Sequence, residues 1–474
     1  MRVTGQPIGD AAHGAGSNAR VPHREGGSLP AQLARIVIGA LLIIAPWLFG
    51  ATEEWSWQLL QCLVVVATVL AVASGCWSHG GAARLRQTWN WWWGAPMLAL
   101  AAYMALQATN PSHLFFNGEL LPIPCSKAWP RTIDAATTCE ALVKFLTYAA
   151  LFWSVRASFT ERRQAWALLT ALVVNGFLLA LVGLSQKLAG SELLLGWRRP
   201  GNPYFLFGPF VNRNNYASYV NLLIPVACAV AHHRRHVARS AGERSDAAGL
   251  FVFMVLMMAL SVIMTTSRAG IVVCGGILLG WAAIEVQRVI RSGSEARRVV
   301  LVWLIVIAVL VGALFYLGVH PVEQRLLEMR QAPAELAPDG GRGAAYQATL
   351  KMFLDSCWFG IGAGTFSMAY PYYSTERPDW FRRYAHNDWL QYLAELGLLG
   401  AALFAALVVA VVYEQWKARS RGGRLDWMAT ALGIGLTGVA LHALVDFPLH
   451  IPSIALLVVA YAALLTLPAV RKVS

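Results

Sequence analysis

The sequence predicts an all-α polytopic membrane protein with about twelve transmembrane helices and a long outer loop containing short helices. Three observations carry this expectation. Of the 474 residues, 57% are hydrophobic and only 13% are charged. The mean hydropathy is +0.51. Apolar runs of the roughly 20 residues that cross a bilayer core as a helix recur along the chain. So few charges cannot cover a soluble surface, whereas a polytopic membrane protein needs them only in loops and at functional points. A soluble enzyme is thereby set aside. The net charge of +13 raises the question of nucleic acid. The positive-inside rule accounts for it more directly, so no nucleic-acid partner is expected.

Residues 1–30 are Gly, Ala, Pro and polar residues with no apolar period, and they read as a disordered cytoplasmic tail. No cleavable signal is expected, because the first apolar run leads into further spans rather than into a soluble domain. The rest of the chain, 31–474, reads as one transmembrane domain. Its twelve candidate spans are 31–50, 57–75, 92–107, 138–155, 165–188, 216–231, 250–266, 269–286, 299–318, 387–412, 428–445 and 452–467. An even number puts both termini on one side. Of the 38 Lys and Arg, counting Arg35 and Lys187 with the loops beside their spans, 23 fall on that side, Lys144 falls inside a span and 14 fall on the other face. Both termini are therefore expected in the cytoplasm. The opposite face holds the long segments 108–137, 189–215 and 319–384. Loops of that length usually have a task, so the work is expected outside the cytoplasm.

No P-loop, HExxH or CxxC pair is present, which argues against ATP hydrolysis and zinc chemistry. Neither a metal nor a cofactor is called for. Cys62, Cys228 and Cys274 read as small apolar fillers within spans. Cys125 and Cys139 flank the first long outer segment, where an oxidising compartment would permit a disulfide; the position of Cys139 at the start of its span favours two free thiols instead. Glu140 and Lys144 stand i, i+4 and are expected to neutralise each other. The Trp run 91–93, with Trp55 and Trp57, fits an interfacial belt.

Three outer arginines stand beside span ends. Arg213 lies in Gly208-Pro-Phe-Val-Asn-Arg-Asn-Asn215, Arg268 in Thr265-Thr-Ser-Arg-Ala-Gly270 and Arg342 in Asp339-Gly-Gly-Arg-Gly343. The plain reading of each is an arginine snorkelling to the headgroups. For Arg268 the turn is so tight that little else polar is present. Guanidinium groups are always charged and fork onto phosphate oxygens, so several converging suit a diphosphate held without metal. One contact at 4 Å is worth roughly 4 kcal/mol at an effective dielectric near 20.

His386 opens the segment His386-Asn-Asp-Trp-Leu-Gln-Tyr-Leu-Ala-Glu-Leu-Gly-Leu-Leu-Gly400, where the long outer loop enters the tenth span. Alone it reads as an interfacial histidine capping a helix. The like charge of Arg382 and Arg383 favours a neutral ring able to accept a proton. Tyr384 and Asn387 flank it, and Asn214 follows Arg213. Asp388 at i+2 is a weak candidate for orienting the ring. Glu395 is a buried carboxylate that needs a partner, in a structural or a functional role. Gly397 and Gly400 permit close helix contact. His442, Asp446 and His450 ring the last outer turn, where a supporting or acceptor-binding role is open.

These motifs together resemble the bacterial O-antigen ligases and the related O-antigen polymerases. The closest match is Trp358-Phe-Gly-Ile-Gly-Ala-Gly-Thr365 followed by the His386 segment, supported by Gly208–Ala217, Ser267-Arg-Ala-Gly270 and the Arg342 segment. The resemblance implies an inverting, metal-independent glycosyltransferase of the bacterial inner membrane, acting on the periplasmic side in lipopolysaccharide assembly. A glycan linked to undecaprenyl diphosphate would pass to a hydroxyl of the lipid A core, among membrane lipids. His386 would be the general base, and Arg213, Arg268 and Arg342 the diphosphate clamp. A polymerase using the same donor is the nearest alternative. A polysaccharide transporter or flippase is a second one; it predicts ionisable residues at mid-membrane and repeat symmetry, and no repeat is visible.

Overall fold

The protein is described from a computed structural model covering residues 28–76, 88–116, 119–199, 206–242, 246–292, 312, 341–374, 382–422 and 426–467. The tail 1–27 and the ninth span, 299–318 apart from residue 312, lie outside the described residues. The helices are α1 (Leu29–Ile44), α2 (Glu54–Cys76), α3 (Trp91–Ala108), α4 (Ala135–Ser158), α5 (Arg162–Leu188), α6 (Arg213–Ser240), α7 (Asp246–Met264), α8 (Arg268–Ser292), α9 (Gly341–Asp355), α10 (Phe366–Tyr373), α11 (Asp388–Gly422), α12 (Trp427–His442) and α13 (Pro452–Leu465). One antiparallel hairpin, β1 (His113–Phe116) with β2 (Glu119–Pro122), lies between α3 and α4. Eleven of the twelve sequence-predicted spans fall on helices. Five described helices, α2, α4, α5, α8 and α11, are by length and composition able to cross a membrane; α1, α7, α12 and α13 are shorter and apolar. The fold class is the one the composition implies, an all-α polytopic membrane protein.

α6 is the axis of the bundle. Every residue from Asn215 to Ala231 is buried, because α5, α7, α8 and α12 all pack on it. A helix that is apolar on all sides has to sit inside others. Apolar side chains face outward on the surrounding helices, among them Val65, Leu181, Leu279 and Val409. That is the surface a bilayer requires and water does not tolerate.

The end of the bundle away from His386 is tied by basic residues. Arg162 forks onto Asp426, joining the starts of α5 and α12. Arg156 donates to the Thr466 carbonyl at 2.5 Å, joining the ends of α4 and α13, and lies over the Trp93 ring. Trp93 and Trp57 are buried, so of the expected Trp belt only Trp55, Trp91 and Trp92 are exposed. Cys125 and Cys139 are free thiols, Cys228 and Cys274 are buried, and Cys62 is exposed rather than a filler.

α11 is broken at Gly397, whose φ of 66° and ψ of −174° belong to glycine alone. A break inside a membrane leaves backbone groups that must find partners within the protein. The glycine-rich segment Trp358–Thr365 supplies them. Ile361 N–H donates to Ala394 O and Gly362 N–H to Glu395 O, while Leu398 and Leu399 donate to the carbonyls of Cys357 and Trp358. From α3, Tyr103 Oη donates to Phe359 O and Leu396 O, and Gln107 Nε2 to Phe359 O and Glu395 O. The two chains lie so close that a Cβ at Gly397 would stand 2.5 Å from Gly360 N. Gly397, expected as a helix-contact residue, is a helix break, and Gly400, against Tyr103, is the contact residue.

Candidate functional site

Each of the three arginines stands at the start of a helix. Asn212 caps α6 by accepting from Asn214 N–H at 2.9 Å, and Arg213 is the first helical residue. Asn214 thus has its backbone in the cap. Three residues separate α7 from α8, with Thr266 at φ 55°. Ser267 Oγ accepts from Gly270 N–H at 3.2 Å, and Arg268 opens α8. Gly270 is required there, since a Cβ would lie 2.5 Å from that of Ala217 on α6. The Ser-Arg-Ala-Gly motif therefore caps a helix, presents an arginine and lets α8 lie against α6. Arg213 Nη1 donates to Thr266 Oγ1 at 3.3 Å, which brings the starts of α6 and α8 together. Arg342 is the second residue of α9, after Gly341 at φ 63°. Helix N-termini carry partial positive charge and unpaired N–H groups, so each arginine adds to a field that already favours an anion.

His386 does not cap α11. It precedes the helix in the left-handed region at φ 57°, an uncommon conformation for a residue with a Cβ. Asn387 is the cap, accepting from Leu390 N–H at 3.0 Å. His386 Nδ1 lies 3.2 Å from Asp446 Oδ1 in the turn after α12. A carboxylate only accepts, so Nδ1 carries the proton and Nε2 is the basic nitrogen. Asp388 pairs with a different ring: its Oδ1 is 2.5 Å from His450 Nδ1, and its Oδ2 accepts from Leu449 N–H at 2.8 Å. The two segments, 386–388 and 446–450, thus exchange histidine and aspartate in a crossed pair. Asp388 N–H adds a bond to Ala443 O at 2.9 Å. Tyr346, one turn along α9 from Arg342, donates to the His386 carbonyl at 3.0 Å. The helix that bears an arginine is thereby docked on the histidine.

The remaining nominated residues support this arrangement. Glu395 Oε2 accepts from Gly364 N–H and Oε1 from Phe366 N–H and Gln391 Nε2. A carboxylate at the start of α10 suits that helix dipole, and it holds the glycine-rich segment in place. Tyr384 stacks on Phe447 with ring centroids 4.4 Å apart and tilts against His450 at 5.1 Å. Burial pushes its phenol up, with the Arg383 charge opposing. Arg382 is partly buried and Arg383 exposed, and the carboxylate of Asp446 is the charged group bonded to the His386 ring. Glu140 and Lys144 form no ion pair among the described residues; the charge of Lys144 acts on His450 instead.

Burial works against the Asp446 carboxylate, yet its pKa is held below the usual carboxylate range, because His386 donates to it and His386, His442 and the Arg342 guanidinium surround it. His450 shows the opposite balance. Burial lowers its pKa, but the Asp388 carboxylate and Glu395 raise it above the ordinary imidazole value. Both residues keep their charges by facing the 386–388 segment. His442 on α12 is buried and shares a 3.0 Å hydrogen bond between its Nδ1 and Ser218 Oγ on α6. Ser218 lies five residues beyond Arg213, about 7.5 Å of helix rise. Arginines and histidines accordingly belong to one end of the bundle.

Asp446, His442 and His450 were noted in the sequence without assigned roles, and Tyr346, Ser218 and Gln391 were not singled out. The spacing His386-x-Asp388 with Asp446-x-x-x-His450 was a usable signal, because two short His/Asp segments at adjoining helix ends can exchange partners. Among the described residues, no group of three or more His, Cys, Asp or Glu side chains is placed to hold a metal ion.

A bundle of apolar helices with arginines at helix starts and a histidine–carboxylate pair beside them defines a multi-pass membrane protein with a polar site at one end. Residues 253–405 match the family model described as O-antigen ligase. Those residues, about a third of the chain, carry the O-antigen ligase family's domain. The match supports a function of the O-antigen ligase or polymerase type. The matched segment contains Arg268, Arg342, His386 and Glu395, and ends before Asp446. No curated protein matches the chain.

Proposed function

We propose that the protein is an inverting, metal-independent glycosyltransferase of the bacterial inner membrane. It moves a glycan from undecaprenyl diphosphate to a hydroxyl of the lipid A core in lipopolysaccharide assembly. Both termini face the cytoplasm, and the site faces the periplasm within the transmembrane domain 31–474. The observation that carries the reading is the 3.2 Å pair of His386 Nδ1 and Asp446 Oδ1, at the same bundle end as three arginine-bearing helix starts.

The sugar–phosphate bond is already activated, so two tasks remain. The acceptor hydroxyl must lose its proton as it attacks the anomeric carbon, and the departing diphosphate must have its charge met. His386 Nε2 takes the proton, worth on the order of 10²–10⁴-fold in rate. Asp446 holds the ring and balances the imidazolium that forms. Arg213, Arg268 and Arg342 meet the diphosphate, each donor contributing about 10²–10³-fold where the geometry is right. Attack from the face opposite the diphosphate inverts the anomeric centre.

The test is transfer by the purified protein from a lipid-linked glycan to lipid A core, without added metal. Glycan on the core is the expected product, and His386→Ala abolishes it while the protein still inserts. Lengthening of the glycan on its carrier would assign the chain as a polymerase instead. Transfer at the wild-type rate by His386→Ala would overturn the role of the base.

A further inference from the structure

One ridge of α9 is left uncovered among the described residues. Arg342, Tyr346, Leu350, Leu354 and Trp358 follow one another at intervals of four, the spacing that sets side chains along one stripe of a helix and, for Trp358, into the turn beyond it. At the His386 end of the ridge, Tyr346 donates to the His386 carbonyl at 3.0 Å. The other end is apolar and open: Leu350 is 47%, Leu354 63% and Trp358 64% exposed. The opposite face of α9 is occupied, with Ala345, Ala348 and Met352 buried in one cluster with Phe366 of α10 and Ala394 of α11. α9 is no span. Its 15 residues rise about 22 Å, short of a hydrocarbon core of roughly 30 Å, and Lys351 and Asp355 are exposed on it.

The level of the ridge follows from its neighbours. Leu398 and Leu399 N–H donate to the carbonyls of Cys357 and Trp358 at 2.8 and 3.2 Å, so Trp358 stands beside the first turn of α11 after the break. From Leu398 to Glu414, α11 runs 17 residues, about 25 Å and close to the thickness of a hydrocarbon core. At that far level Glu414 accepts from Asn90 Nδ2 at 3.1 Å and Tyr413 packs on Trp92 with ring centroids 5.6 Å apart. Trp91, Trp92 and Trp416 are exposed there. Two levels of exposed tryptophan, one hydrocarbon thickness apart, are what the two interfaces of a bilayer produce. Trp358 belongs to the level nearer His386. Leu398 and Leu399 are themselves exposed, so the apolar surface of the span passes without interruption onto the ridge. Cations stand beside it: Arg131 donates to Ser356 Oγ at 2.6 Å at the end of α9, and Lys351 is exposed one residue after Leu350.

We propose that α9 is an interfacial helix: Leu350, Leu354 and Trp358 lie in the boundary between phospholipid headgroups and acyl chains of the leaflet on the His386 side, with Arg131 and Lys351 toward the lipid phosphates. The occupant is bilayer phospholipid rather than a protein chain, because the ridge continues the lipid-facing surface of α11 and is flanked by cations, as surface-lying amphipathic helices are. The contact fixes a level. Arg342 stands eight residues before Leu350 on the same ridge, about 12 Å of helix rise, so the arginine is held at a constant height over the layer in which lipid phosphates lie.

The test reads depth and needs no activity. Single nitroxides at Leu350→Cys, Leu354→Cys and Trp358→Cys are compared in nanodiscs of phosphatidylethanolamine and phosphatidylglycerol, in a background whose other accessible cysteines are serine. Oxygen and a water-soluble nickel chelate serve as relaxants. The ratio of oxygen to nickel collisions at Leu354 and Trp358 is expected about tenfold above that of the free label in buffer, lower at Leu350, and highest at a Val409→Cys reference on α11. A ratio at Leu350 and Leu354 equal to that of the free label puts the ridge in water and overturns the proposal. Loss of collisions with both relaxants overturns it too, since protein would then cover the ridge. Hydroxyl-radical footprinting of the wild-type chain in the same nanodiscs keeps the test open if a labelled variant fails to insert: Leu354 and Trp358 are expected to be protected, and oxidation as fast as in the proteolysed chain would exclude a lipid contact. Neither experiment contains a glycan donor, so failure here leaves the glycosyl-transfer reading in place, and failure of that reading leaves this result intact.

Discussion

His386 Nδ1 lies 3.2 Å from Asp446 Oδ1 across 60 residues of sequence, and the bond settles which ring nitrogen is basic. Asp446→Asn keeps the shape but presents either an amide N–H or a weaker acceptor to the ring, so the proton on Nδ1 is no longer enforced. Loss of the orienting carboxylate from a histidine base typically costs several orders of magnitude. Asp446→Asn is expected to lower kcat about 10²–10⁴-fold with little change in donor KM. A steady-state assay on protein shown to be monodisperse measures it, and a loss under tenfold would remove Asp446 from the mechanism.

Arg213 donates to Thr266, two residues before Arg268 in the same turn, so the two arginines are expected to act as a unit rather than as two independent contacts. Lysine keeps the charge but loses the planar fork that engages two phosphate oxygens. Arg268→Lys is expected to lose about 10-fold in kcat/KM for the lipid-linked donor, and Arg268→Ala on the order of 10²–10³-fold. The double variant Arg213→Ala, Arg268→Ala should lose less than the product of the single losses. Full multiplicativity, measured as kcat/KM, would show that the two do not share one phosphate group.

Much of this was legible in the sequence, and the remainder has physical causes. Composition and apolar run length located eleven helices, because crossing a bilayer is a constraint on each segment by itself. The arginines stood out because a cation beside a span on the face expected to be outer lacks a topological reason. The partner of His386 did not, since local spacing offered Asp388, and the two short His/Asp segments 60 residues apart signal an exchange only once the fold sets their helix ends side by side. Gly397 was misread for a related reason. A glycine in an apolar run looks like a packing notch until the pairing segment, Trp358–Thr365, is brought alongside. Glu395 was left open between structure and function, and its three donors from Gly364, Phe366 and Gln391 place it with the fold.

His450 links stability to pH. Burial lowers its pKa, but Asp388 at 2.5 Å and the charge of Glu395 raise it above 6.5, against the opposing charge of Lys144. A group whose folded pKa is raised contributes stability that is fully present below its unfolded value and is lost as pH rises through the folded one. The melting temperature in detergent should therefore hold its His450 contribution below about pH 6.5 and lose it progressively above that. His450→Gln should melt lower at pH 6 and approach wild type at alkaline pH. A constant difference across that range would show that the ring is held by packing alone.

Gly397 is the most demanding backbone position near the site. Its φ and ψ are open only to glycine, and a Cβ would meet Gly360 N at 2.5 Å and Trp358 O at 2.6 Å. Those contacts are backbone, with no flexible end to move aside. Gly397→Ala should destabilise the protein by on the order of 3 kcal/mol or more. Since the Trp358–Thr365 segment leads from α9 to α10, activity should fall with stability. Gly400→Ala meets a Tyr103 ring instead at 2.7 Å, which can shift, and should be milder. Thermal unfolding of the two variants side by side decides it: equal losses would mean that the break does not depend on glycine.

Tyr346 joins the arginine helix to the histidine. Its hydroxyl donates to the His386 carbonyl at 3.0 Å from a position one turn after Arg342. His386 occupies the left-handed region, a conformation that costs about 1–3 kcal/mol when the surroundings do not enforce it. The hydroxyl is one such enforcement; the backbone bond from Asp388 to Ala443 and the Asn387 cap are others. Tyr346→Phe removes a single hydrogen bond worth about 1 kcal/mol, roughly a fivefold effect if it is spent on keeping the ring in place. The loss should appear in kcat, with donor KM unchanged, because Arg342 stays on its helix. A rise in donor KM with kcat intact would instead mean that the hydroxyl serves the clamp. The two outcomes separate a helix that orders the base from one that only carries an arginine.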